Sequence, residues 1–86
     1  MTPYDLKWKK KALKKLDKLE KEQKQRIRKK LEWFSQHPNR SKNIKYIEKY
    51  DCLRYRIGNF RIYFEKDQNE EIIRILNIDK RPQAYR

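Results

Sequence analysis

One glycine, one cysteine, one methionine and one histidine in 86 residues exclude several kinds of protein at once. A lone Cys52 cannot form a disulfide within the chain, and it reads as a small, half-buried filler. The single histidine, His37, stands beside Pro38, so one Cys and one His offer no ligand cluster, and neither metal nor cofactor is expected. No apolar run approaches the roughly 18 residues needed to span a bilayer. The start, M-T-P-Y-D-L-K-W-K-K, lacks the apolar core of a signal peptide, which makes a cytoplasmic location the expectation.

Acidic residues are the other scarcity. Twelve Asp and Glu face 25 Lys and Arg, a formal net charge of +13. Such an imbalance calls for a polyanionic partner: nucleic acid, a ribonucleoprotein, an anionic membrane or an acidic protein. It also predicts self-repulsion in the isolated chain. The length suits a single domain over residues 1–86, with one modest core.

Tyr4, Leu6 and Trp8 alternate with Asp5 and Lys7, the period of a short first strand. From Lys9 to about His37 the composition is helical, without Gly or Pro, and Ala12, Leu13, Leu16, Leu19, Ile27, Leu31 and Phe34 mark apolar faces. The polar stretch E-K-E-Q-K-Q-R between Leu19 and Ile27 fits either one long helix or a helical hairpin turning near Lys21. Compactness favours the hairpin. His37-Pro38-Asn39 ends the helical region, because proline disfavours helix at the residue before it. Residues 39–50 read as a polar connection. After a hairpin and the turn K-D-Q-N-E comes a β-branched run, Ile72, Ile73, Ile75, Leu76 and Ile78, as expected of a central strand covered on both sides. The fold class is α+β, in the order β-α-α-β-β-β, with two helices on one face of a small, mainly antiparallel sheet. Trp8 and Trp33 occupy apolar positions and read as packing residues.

The hairpin L-R-Y-R-I-G-N-F-R-I-Y-F-E carries the chemistry. Gly58-Asn59 between alternating runs predicts a two-residue type II′ turn, with glycine supplying positive φ. That register sets Ile57 opposite Phe60, Arg56 opposite Arg61, Tyr55 opposite Ile62 and Arg54 opposite Tyr63. Leu53, Tyr55, Ile57, Phe60, Ile62 and Phe64 then share one face, with Arg54, Arg56, Arg61 and Tyr63 on the other. Like charges directly across a ladder are unfavourable, so stability alone does not select this arrangement. The guanidinium is a rigid, permanently charged fork matched to phosphate oxygens. Three of them beside Tyr63, followed in sequence by Arg81 and Tyr85, suit a phosphodiester and an adjacent base. The alternative is an ordinary wet face on which Arg54 and Arg61 pair with acids such as Glu48, Glu65 or Asp79. The 13 Lys and Arg of residues 7–30, against 3 Asp and Glu, read mostly as a solvated helical face whose diffuse field steers association.

In the motif R-Y-R-I-G-N-F-R-I-Y-F, the isoleucine-rich last strand and the tail D-K-R-P-Q-A-Y-R, the chain resembles the RelE toxin family, ribosome-dependent mRNA endonucleases of toxin–antitoxin pairs. The likeness runs from Tyr4 to Tyr85 and includes the element order. It implies a protein that enters the ribosomal A site, contacts ribosomal RNA and cuts the mRNA codon there. The 2′-OH of the mRNA attacks the neighbouring phosphate, leaving a 2′,3′-cyclic phosphate and a 5′-OH, with no metal required. By motif, Arg61 and Arg81 would clamp the scissile phosphate, Arg54 and Arg56 would hold the flanking backbone, and Tyr85 would stack on a base and help activate the 2′-OH. Family members often carry lysine where Arg54 and Arg56 stand. Arginine is no base at neutral pH, so Tyr85, ribosomal RNA or water must take that part. The resemblance also implies a cognate RelB-like antitoxin. Two rivals stand beside this reading: a ParE-type toxin of the same fold, which inhibits DNA gyrase, and a non-catalytic RNA- or ribosome-binding module.

Overall fold

The computed structural model describes residues 3–40 and 42–80. In chain order the elements are β1 (Asp5–Trp8), α1 (Lys10–Asp17), α2 (Lys21–Gln36), β2 (Ile44–Ile47), β3 (Cys52–Ile57), β4 (Phe60–Asp67) and β5 (Ile72–Lys80). The strands form one sheet in the order β1-β5-β4-β3-β2. Only β1 and β5 run parallel; the other three neighbouring pairs are antiparallel. This is the expected α+β arrangement with one strand added.

The added strand corrects the reading of residues 39–50 as a polar connection, since Ile44–Ile47 pairs antiparallel with β3. Its alternation is hard to see because Lys45 and Tyr46 are both exposed, at the sheet's edge. The helical region does break in two. Glu20 takes an extended conformation (φ −65°, ψ 154°) ahead of α2, while Leu19 packs against the core. An anchored leucine and an extended glutamate turn the chain where no glycine or proline is available.

The hairpin register follows the sequence pattern rung by rung: Ile57 with Phe60, Arg56 with Arg61, Tyr55 with Ile62, Arg54 with Tyr63. Gly58 sits at φ +58°, a region that L side chains rarely enter. The apolar face of β3 and β4 closes on the helices. Ala12 and Leu16 of α1 and Ile27, Leu31 and Phe34 of α2 join Tyr55, Ile57, Phe60, Ile62 and Phe64 in one core. Phe34 meets both Tyr55 and Phe64 edge-on, with ring centroids 5.4 and 5.3 Å apart, a geometry suited to the quadrupoles of the rings. Leu13 is the exception among the expected apolar marks and stays 39% exposed. Trp33 also departs from expectation. It is 45% exposed and stacks on His37 at 4.5 Å instead of filling the core.

The isoleucine-rich strand is interior, between β1 and β4, but its near-continuous apolarity has a second cause. Tyr63 pairs with Asn77 and Phe64 with Ile75, so Leu76 is an extra residue on β5. Such a bulge reverses which residues face inward. Ile73 and Ile75 point to the core before it and Ile78 after it. Both helices bury their apolar residues in that core, while Lys11 and Lys15 of α1 reach the other face.

Candidate functional site

On the sheet face away from the core, the rungs read Lys45–Arg54–Tyr63–Asn77 and Arg56–Arg61–Asp79. The bulge at Leu76 is what puts Asn77 and Asp79 there. Helix α1 flanks this face because it continues from β1 alongside the far half of β5: the Lys9 amide donates to the Ile75 carbonyl at 2.9 Å. Lys15 Nζ reaches the Asp79 carboxylate at 3.2 Å. Among the described residues no carboxylate lies in ion-pair contact with Arg54, Arg56 or Arg61; the two ion pairs are Lys15–Asp79 and Arg74–Glu65. Of the acids weighed as neutralisers from sequence, Glu65 and Asp79 are thus committed elsewhere.

Arg54 is half-buried, and its Nε is enclosed with no hydrogen-bond partner among the described residues. An enclosed N–H on a cation is costly unless an acceptor meets it. Arg56 is exposed and Arg61 half-buried beside it. Among the described residues, three guanidinium groups from two adjacent strands thus share this face with no carboxylate in ion-pair contact.

Tyr63 shares the face but is only 8% exposed. Tyr50, from the turn between β2 and β3, packs edge-on against it at 5.7 Å and leaves its own ring 57% exposed. Tyr50 and Tyr63, with Lys11, Leu76, Asn77 and Asp79, line a cleft of about 360 Å³ next to the arginines. Cys52 also lines it, and burial pushes its thiol pKa up, reinforced by the charges of Glu65 and Asp51. A protonated, buried thiol is a packing group, not a nucleophile. Arg81 and Tyr85 lie outside the described residues; Lys80, the last of these, pairs with Phe60 next to the hairpin turn.

Sequence reasoning placed the arginines on one face and missed what surrounds them. Lys11 and Lys15 were read as part of a diffuse helical field, and Tyr50 as part of a connection. The K-K-A-L-K-K-L phase held a usable signal, since Lys11 and Lys15 flank the buried Ala12 and Leu16.

A family model described as the ParE toxin of type II toxin–antitoxin systems, parDE, matches residues 6–85. No curated protein matches the chain in sequence. Among solved structures, the archaeal RelE–RelB complex from Pyrococcus horikoshii is 25% identical, covers 96% of this chain and 100% of its own, and superposes with a TM-score of 0.81. The Mycobacterium tuberculosis toxin–antitoxin complex RelBE2 is 22% identical, over 93% of this chain and 100% of its own, with a TM-score of 0.80. The isolated Escherichia coli RelE toxin is 19% identical, over 94% of this chain and 87% of its own, at 0.78.

Proposed function

The chain belongs to the ParE toxin family of type II toxin–antitoxin systems, within the wider RelE/ParE group, and from that footing we propose a RelE-type activity: ribosome-dependent cleavage of mRNA, silenced by a cognate antitoxin. The observation that carries this reading is the set of guanidinium groups, Arg54, Arg56 and Arg61, that share one face on alternate rungs with no carboxylate in ion-pair contact among the described residues. A protein that only needed a soluble surface would gain by neutralising them.

In this reading the mRNA phosphate lies over Arg61, with Arg81 closing on it from the tail. The 2′-oxygen attacks phosphorus, the bond to the 5′-oxygen breaks, and the excess negative charge of the pentacoordinate state is shared among the guanidinium groups. Donors aimed at developing charge commonly contribute about 10²–10³ each in rate. Arg54 and Arg56 hold the flanking backbone, and Tyr63 with its exposed neighbour Tyr50 lines the adjoining cleft. The 2′-OH proton passes to the Tyr85 phenolate, to ribosomal RNA or to water, and the departing 5′-oxygen takes a proton from the surrounding solvent. Neighbouring guanidinium groups would favour the phenolate by Coulombic attraction.

The partner follows from charge and from the relatives. The Pyrococcus and Mycobacterium proteins are seen in complexes with antitoxins. A RelB-like protein, acidic where it meets this chain, would be steered to the +13 surface. The second reading, inhibition of DNA gyrase, is favoured by the family match itself, which is to ParE.

Mapping mRNA 5′ ends in a translating extract separates these. Cuts in register with codons that vanish with Arg81→Ala and weaken with Tyr85→Phe are the expected result. Intact mRNA with stabilised gyrase–DNA breaks would replace this reading with the second. Ribosome binding without cuts would make the chain a non-catalytic module.

A further inference from the structure

The helical side of the sheet carries a second basic surface that the arginine face does not explain. Arg26, Lys29, Lys30 and Trp33 project from one face of α2 at three- and four-residue spacing, and Arg40 and Lys42 approach from the segment leading into β2. Together they bound a groove of about 640 Å³ whose remaining lining is Asn43 and Tyr55. No Asp or Glu lines it. Tyr55 belongs to the core-facing register of β3, whereas its neighbours Arg54 and Arg56 point the other way. The groove and the arginine face thus lie on opposite sides of one strand.

We infer that this groove binds single-stranded nucleic acid, separately from the arginine face. Trp33 leaves 45% of its surface exposed on the rim of this groove. Trp33 is also held as a platform. His37 stacks on it at 4.5 Å with an interplanar angle of 23°, and His37 Nδ1–H donates to the Trp33 carbonyl at 3.0 Å. A flat aromatic ring rimmed by cations from two chain segments is the combination that single-stranded nucleic acids use, with bases stacking and phosphates meeting Lys and Arg. An acidic peptide would satisfy the charge alone. It would find no seat for an aliphatic anchor, because the lining contains no aliphatic residue. The inference does not depend on whether the arginine face cuts RNA.

A 2′-O-methyl oligouridine of about 12 nucleotides, within the usual span of such sites, tests this without cleavage, since its blocked 2′-oxygen cannot attack. In a Trp8→Phe background Trp33 is the one tryptophan, and its fluorescence should be quenched as the oligonucleotide binds. Lys29→Gln, Lys30→Gln and Arg40→Gln combined should weaken binding at least tenfold and flatten its salt dependence. Arg54→Gln, Arg56→Gln and Arg61→Gln combined should leave the quenching in place. Anisotropy of a labelled oligonucleotide with the unaltered chain and with Trp33→Ala gives a second measure, expected to differ at least fivefold. Absence of quenching, loss of quenching only in the sheet variant, or quenching by a polyglutamate peptide and not by the oligonucleotide would each overturn the assignment.

Discussion

Asp79 lies across from Arg61 in the β4–β5 ladder, yet its carboxylate is held by Lys15 Nζ at 3.2 Å and not by the guanidinium. The helix thereby takes up the one acid on the Arg56–Arg61 rung. A surface ion pair of this kind contributes little to stability, about 0–1 kcal/mol. Its consequence is electrostatic: Asp79 does not form an ion pair with Arg61.

Lys15→Ala should release Asp79 towards Arg61 and reduce mRNA cutting roughly fivefold, about 1 kcal/mol on the barrier. Adding Asp79→Ala to that variant should restore most of the activity. A lysine acting only through the general positive field would give no such rescue. End-mapping rates for the single and double variants decide between them.

Arg61→Ala should separate stability from activity. Cutting falls by about 10²–10³ if the guanidinium stabilises the developing charge. Removing one of two like charges on the Arg56–Arg61 rung should leave stability unchanged or raise it, by up to about 1 kcal/mol. For a domain this size that is an increase of roughly 4–8 °C in Tm, readable by circular dichroism. A large fall in Tm would mean that Arg61 is structural.

Gly58→Ala meets two obstacles. The position has φ +58°, and a Cβ there would stand 3.1 Å from the Arg26 guanidinium. The backbone penalty is about 1–2 kcal/mol, and the Arg26 head, at the end of a flexible chain, can move aside. Urea unfolding should show a loss in that range, with an unchanged m-value.

Phe64→Ala tests the core. The ring is fully buried and edge-on to Phe34 at 5.3 Å, so about 3–5 kcal/mol should be lost. Much of a small domain's stability lies within that figure. The variant should therefore be largely unfolded at 37 °C by near-ultraviolet circular dichroism.

Tyr46 reports on the turn between β2 and β3. Its phenol donates a hydrogen bond to the Asp51 carboxylate, which raises its pKa above the ordinary value, with desolvation and the carboxylate's charge adding to the rise. The folded phenol holds its proton more tightly than the unfolded one. This contact's contribution is therefore complete below about pH 10 and fades as pH climbs through the folded pKa. Ultraviolet titration should show one tyrosine moving to lower pH in Asp51→Asn. An unchanged titration curve would remove the contact from solution.

The hairpin was legible because alternation and one glycine are local signals, and they fixed the rungs that gather the arginines. The helix break was legible only in outline, since E-K-E-Q-K-Q-R contains no residue that forbids helix. Strand β2 was missed because four residues at an edge, half of them exposed, make too short a pattern. Trp33 was misread because an aromatic residue beside the buried Phe34 in helical phase gives no sign that it stacks on His37 and stays half exposed. The tail residues Arg81 and Tyr85 rest on sequence resemblance, outside the described part of the fold.

The supernumerary Leu76 has a consequence for how this protein can change. It acts as a parity switch, deciding for every residue downstream whether it serves solvent or interior. Deleting it would turn Ile78 outwards and Asp79 inwards in a single step. The tuning of the charged surface and the filling of the hydrophobic interior are thereby coupled, and substitutions that improve one can be accepted only within a frame that preserves the other.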